Sequence, residues 1–141
     1  IEILDKLFQR DLENLKTEIS SYKDEKNLWK ISGDIKNSAE ICVCIFAELV
    51  TFYGAVLGNS GYVRNREAEF SRKNVPLKEL VKEIELTKTV IVKNLTEVQL
   101  GEKFPIDVFG YEMTTLFFLI HLHSHLTYHV GQINYHRRLI E

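Results

Sequence analysis

The sequence predicts an all-α protein, a four-helix bundle with a long crossover between helices two and three. Three observations predict it. Apolar residues recur three or four apart over long stretches, the period of one helix face. Helix breakers are scarce, with 2 prolines and 7 glycines in 141 residues. One polar link of about eighteen residues separates the second apolar stretch from the third, unusually long for a connection inside a compact helical domain. The length fits a single domain over residues 1–141 with room for a true core.

Helix one is expected from about residue 3 to about 22, because Leu4, Leu7, Phe8, Leu12, Leu15, Ile19 and Tyr22 share a face while Asp11, Glu13, Lys16 and Glu18 lie mainly off it. "KDEKNLWKISGD" breaks it, with Gly33 and Asp34 at a turn and Trp29 placed to plug the bundle end. Asn37 and Ser38 can cap the next start. Helix two, "SAEICVCIFAELVTFYGAVLG", is apolar nearly all round and should be buried on most sides. Gly58 and Asn59 end it. The link "NSGYVRNREAEFSRKNVP" shows no apolar periodicity. Extended, it could span roughly 60 Å, against about 30 Å for a 20-residue helix, so helices two and three can run parallel. Val75-Pro76 opens helix three, since proline suits a first turn. Its stripe is Leu77, Leu80, Val81, Ile84, Ile91 and Leu95. "QLGEKFPIDVFGYE" stops it, and helix four follows from about Met113 to Leu139.

Composition excludes several classes of function. A formal charge of -2 with scattered Lys and Arg argues against a nucleic-acid binder with a broad basic face. No uninterrupted apolar run, Leu116 to Ile120 among them, is long enough to span a membrane. Cys42 and Cys44 project to opposite sides of a helix and should not pair, and the charged start carries no signal-peptide pattern, so a reducing cytoplasm is expected. Asn94-Leu95-Thr96 matches a glycosylation acceptor by chance in that setting. No serine–histidine–acid set, phosphate loop or CxxC motif is visible.

All five histidines fall within "HLHSHLTYHVGQINYH", residues 121–136. At about 100° per residue, His121, His125, His129 and His136 share a narrow stripe with Gln132, beside core-like Leu119, Leu122, Leu126 and Ile133. His123 points elsewhere and is expected at the surface. Imidazoles one turn apart start about 6 Å apart and lean the same way, so either His121–His125 or His125–His129 could share a metal ion. A straight helix cannot bring all three to one ion. Such a pair is also often just two core or surface histidines. Tyr128, Gln132, Tyr135 and His136 could orient ligands, although packing with bonded polar tips is the simpler role. Arg64, Arg66, Glu67 and Glu69 set two cations before two anions, a pattern suited to salt bridges that tie the crossover down, or to holding an anionic substrate.

"HLTYHVGQINYHRRLI" resembles the last helix of the DinB/YfiT-like proteins, in particular a subgroup catalogued as a domain of unknown function. "ISGDIKNSAE", "GAVLGNSGYVRNREAEFS" and "NVPLKELVKEIE" resemble that subgroup in the same order, so the likeness covers roughly residues 28–140. It implies a bundle with parallel central helices and a homodimer. It also implies a divalent metal, zinc or nickel, on three histidines. Two come from an HxxxH pair in helix four, which maps to His125 and His129. The third comes from helix two, where this chain has Cys44, with Glu40 and Glu48 at positions that are asparagine in the pattern. Two readings follow. Cys44 could be a thiolate ligand beside the two imidazoles, leaving a fourth position open. Alternatively the substitution removed the site, and Cys44 is a small buried residue in a metal-free, non-catalytic bundle that binds a small molecule or partner. Some relatives transfer groups with a low-molecular-weight thiol held as thiolate on the metal, which makes a metal-dependent transferase or hydrolase acting on a small molecule the implied activity.

Overall fold

The computed structural model describes residues 1–95 and 99–141, so Thr96 of the acceptor triplet lies outside the described residues. The described chain is all-helical. Helix α1 spans Glu2–Ser20 and buries Leu4, Phe8, Leu12, Leu15 and Ile19, the face its periodicity predicts. It stops two residues early, yet Tyr22 stays buried just beyond it. A 3-10 segment, Glu25–Trp29, buries Leu28 and packs the half-buried Trp29 against the core. Asn37 then caps α2, Ser38–Leu49, by accepting a hydrogen bond from the Glu40 amide at 2.9 Å.

Helix α2 is buried on nearly every side and runs on as a π-helical segment, Val50–Leu57. By length and composition Ser38–Leu57 is apolar enough to cross a membrane, although no uninterrupted run is. Counting unbroken runs missed it because Glu40 and Glu48 interrupt the apolar residues. Half of this stretch is buried within the protein. Gly58 and Asn59 end it, Asn59 with φ 50°.

The crossover holds one element that periodicity did not predict. Helix α3, Arg66–Ser71, is capped by Asn65, whose side chain accepts from the Ala68 amide at 2.9 Å. Acidic Glu67 and Glu69 in its first turn favour the positive end of the helix dipole. A turn and a half can be held by such local effects without an apolar stripe. Helix α4, Leu77–Leu95, buries Leu80, Ile84, Thr87, Ile91 and Leu95. Thr114 caps α5, Thr115–Ile140, two residues after the expected start.

Side-chain pairings give the helix directions. Lys16 meets Glu85 while Gln9 reaches the Lys88 carbonyl, so α1 and α4 are antiparallel. Asp11 meets His123 and Glu18 meets Arg137, so α1 and α5 are parallel. Ser38 meets His136 and Glu48 meets His125, so α2 opposes α5. Gly54 lies beside Val90 and Gly58 beside Asn94, so α2 and α4 run parallel, as the length of the link between them allows.

Two positions test this packing. A Cβ at Gly58 would stand 2.0 Å from the Asn94 Oδ1 and 2.8 Å from the Gly54 carbonyl oxygen. Asn94 is itself tied to the Val90 carbonyl. Gly58→Ala should therefore cost about 1–3 kcal/mol in urea unfolding; an unchanged midpoint would show that α2 and α4 are not this close. Tyr53 is fully buried against the Phe8 edge, and its hydroxyl has no hydrogen-bond partner among the described residues. Removing an unsatisfied buried hydroxyl relieves its desolvation, so Tyr53→Phe should raise stability by about 1 kcal/mol or more. A loss of that size would mean the hydroxyl is bonded.

Candidate functional site

The antiparallel seam of α2 and α5 brings most of the ionisable side chains named from sequence to one place. On α5, the His125 and His129 rings stand edge to face with centroids 4.2 Å apart. Their Nε2 atoms face each other at 2.9 Å. His129 Nδ1 lies 2.6 Å from Gln132 Oε1, and the Gln132 amide nitrogen donates to the Tyr128 hydroxyl at 3.3 Å. This orientation sets the tautomer. The Gln132 oxygen accepts, so His129 donates through Nδ1 and keeps its lone pair on Nε2. His125 must then donate through Nε2, whose hydrogen lies between His129 Nε2 and Glu48 Oε2 at 3.2 Å. Burial pushes His129 below its ordinary value, outweighing the opposing hydrogen bond to Gln132.

Helix α2 supplies Cys44 and Glu48, one turn apart on the same face. The half-buried Cys44 sulfur has two polar neighbours, Glu48 Oε1 at 3.9 Å and Arg64 Nη2 at 3.7 Å. No hydrogen bond or ion pair joins it to either imidazole. Burial, helped by Glu48, raises the Cys44 thiol above its ordinary value despite Arg64. Cys42 is fully buried, and both cysteines are free.

The crossover contributes Arg64. Its Nε and Nη2 form a fork on the buried Glu69, at 2.9 and 3.1 Å, and Nη1 stands 3.9 Å from Glu48 Oε1. The salt-bridge role expected for this stretch is thus present at Arg64, with a contact that sequence reasoning missed: the guanidinium lies against Cys44. Glu48 was also missed as a neighbour of the pair. The available signal was its spacing, since a residue one turn beyond Cys44 must face the same partner.

The remaining histidines separate clearly. His121 is an exposed neighbour of the pair, stacked on His125 and edge-on to Phe109 at 4.7 Å. His136 is buried. Its Nε2 donates to the Lys30 carbonyl at 2.8 Å, and its Nδ1 lies within 2.9 Å of both the Tyr22 and Ser38 hydroxyls. His123 is not at the surface as expected. It faces α1, 2.6 Å from the buried Asp11, which Arg10 also holds in a fork. The wheel placed His123 off the stripe correctly, but α1 occupies that side.

Two clefts flank the imidazole pair. One, of about 270 Å³, opens beside His125 and is lined by Glu48, Arg64, Arg66, Phe109 and His121. The other, of about 840 Å³, opens beside His129 and is lined by Lys36, Ile41, Tyr128, Gln132 and Tyr135. The larger is in the range of small-molecule sites.

The pair fits a divalent ion in direction, with a free lone pair on His129 Nε2, but His125 carries its proton on the facing nitrogen. The fit is incomplete in spacing. Two nitrogens on one tetrahedral zinc stand roughly 3.3 Å apart, so 2.9 Å is a hydrogen-bonded distance. Cys44 does not join the pair, and among the described residues no three His, Cys, Asp or Glu side chains surround a common point.

No family model, curated protein or solved structure matches this chain.

The depressed basicity of His129 has a measurable sign. A base that is weaker when folded lets the unfolded chain take the proton first, so stability falls as pH drops from 6.5 toward the folded value. An imidazole NMR titration should place the His129 midpoint below 6.5, and Gln132→Leu should lower it further by removing the hydrogen bond that supports the charged form. A midpoint above 6.5 would contradict the neutral, Gln132-oriented ring.

Proposed function

We propose that this chain is a DinB-like four-helix bundle, working as a homodimer, that acts on a small molecule as a metal-dependent transferase or hydrolase. The observation that carries the proposal is the facing pair of imidazole nitrogens, His125 and His129, at a seam between two clefts. His125 and His129 would hold zinc or nickel, with the third ligand from α2. A bound ion would supply Lewis acidity and favour the thiolate of a low-molecular-weight thiol cosubstrate.

The protein's own groups have separable roles. Gln132 holds the His129 ring so that Nε2 faces the pair rather than solvent. Tyr128 in turn holds the Gln132 amide. Arg64 and Glu69 keep a cation at one end of the cleft beside His125, suited to an anionic part of a substrate. The walls of the larger cleft, Ile41, Tyr128 and Tyr135, suit an apolar body.

A second reading has its own support. The Arg64 guanidinium lies against Cys44, where an ion on that sulfur would meet a positive charge. In this reading the bundle is metal-free and binds a small molecule or partner through the same clefts.

Metal analysis of purified protein separates the two. The metal reading expects about one equivalent of zinc or nickel in the wild type and none in His125→Ala or His129→Ala, with each variant's fold checked by circular dichroism. Wild-type protein that stays empty in excess metal at neutral pH would leave only the metal-free binder.

A further inference from the structure

We infer that two copies of this chain join through the outward face of α5, antiparallel about a two-fold axis at the middle of that helix. The inference rests on the homodimer of the reading above and is independent of any metal.

Charge is the first argument. Residues 113–136 contain no Asp, Glu, Lys or Arg. A helix on the outside of a bundle ordinarily carries charge on its solvent side. Helix α1 does, exposing Glu2, Lys6, Arg10 and Glu13, and so does α4, exposing Lys78, Lys82 and Glu85. The open face of α5 instead runs through Phe117, Ser124, Tyr128, Gly131 and Tyr135, flanked by Ile120 and Leu139.

Area is the second. Phe117, Ile120, Tyr128, Tyr135 and Leu139 are each between 50% and 66% exposed. At about 200 Å² for a large side chain they leave roughly 550 Å² open, near the largest apolar patch a monomer carries. Two copies closing on this face bury roughly 1,100 Å² from these residues, and the small residues between them bring the total to the about 1,200 Å² at which specific interfaces begin.

Symmetry is the third. Helix α5 spans Thr115–Ile140, so its midpoint falls between Thr127 and Tyr128. An antiparallel pair centred there overlaps along the whole helix and opposes the two helix dipoles. It sets Ser124 against the partner's Gly131, Ile120 against the partner's Tyr135 and Phe117 against the partner's Arg138. The pattern matches itself, as a two-fold interface requires. A Cβ at Gly131 meets nothing within 4 Å, so nothing in its own chain requires glycine there, whereas a second helix crossing close over Ser124 and Gly131 does. Arg138 already reaches over the Tyr135 ring at 5.9 Å, and in the pair it meets a second ring. Tyr128, Gly131 and Tyr135 also line the larger cleft, so the second copy lies along its outer side and the partner's Ile120 and Ser124 complete its wall.

Sedimentation equilibrium of the full chain tests this. The wild type is expected at twice 16.4 kDa. Ile120→Lys and Tyr135→Glu each put two charges into the interface and should each weaken the dimer about 30-fold or more. Leu86→Lys, on the exposed side of α4, should leave it unchanged. Circular dichroism melts confirm that all three variants fold. An equimolar mixture of Ile120→Lys and Tyr135→Glu should recover the dimer, because the mixed pair joins the new cation to the new anion at one contact and keeps the native contact at the other. Dimers that persist in both single variants, or a mixture that stays monomeric, overturn this face and its register and leave the homodimer standing. A wild type that remains at 16.4 kDa up to about 0.5 mM overturns the inference together with the homodimer, and gives the face to a different partner.

Discussion

The buried contact of Tyr22, Ser38 and His136 sets the register on which the rest of the site depends. The Tyr22 hydroxyl lies 2.6 Å from both the Ser38 hydroxyl and His136 Nδ1. His136 donates its other nitrogen to the Lys30 carbonyl, so Nδ1 can only accept, and the two hydroxyls compete for one lone pair. Such a network is worth most when every member is satisfied, because each lost partner leaves a desolvated group costing about 1–3 kcal/mol. It joins α1, α2 and α5 at one end. From there Glu48 is ten residues along α2 and His125 eleven residues back along α5. At about 1.5 Å per residue those are nearly equal distances, which brings the carboxylate opposite the imidazole.

Charge is placed inside this body only where it is multiply held. Asp11 is buried, yet its acidity is strengthened: burial opposes the charge, and the hydrogen bonds from Arg10 and His123 outweigh that opposition together. Glu69 is likewise buried, facing the Arg64 fork. The two arrangements do different work. Asp11 and His123 lock α1 to α5 on the side away from the clefts. Glu69 holds Arg64 within the crossover, and Arg64 in turn meets Glu48 and Cys44 on α2.

The parallel course of α2 and α4 explains why the crossover exists and where it runs. Because the chain must return to the same end before α4 begins, residues 59–76 run back along α2, where Arg64 meets Glu48 and Lys73 meets Glu40. The short helix α3 and its Asn65 cap fix that passage locally. At the far end the missing side chain of Gly58 leaves room for the Asn94 side chain between the π-helical segment and α4. The π-helical segment also carries Phe52 into the aromatic cluster with Phe104 and Phe118, which closes the end of the core near His121.

The sequence by itself determined the all-helical class, the four long helical stretches and the stripe of imidazoles beside the buried face of the last helix. Each of these rests on local periodicity or on breakers that act within a few residues, such as Asn37, Gly58 and Pro76. The pairing of His125 with His129 rather than with His121 was open from spacing alone, and ring orientation decided it, through Gln132 and the aromatic neighbours of His121. The fate of His123 was invisible because its partner, Asp11, is 112 residues away. The same is true of Cys44. Its neighbours include a guanidinium twenty residues on, brought back by the crossover. Which groups surround a side chain depends on helix register and on long-range charge pairing, and neither leaves a periodic trace in the chain.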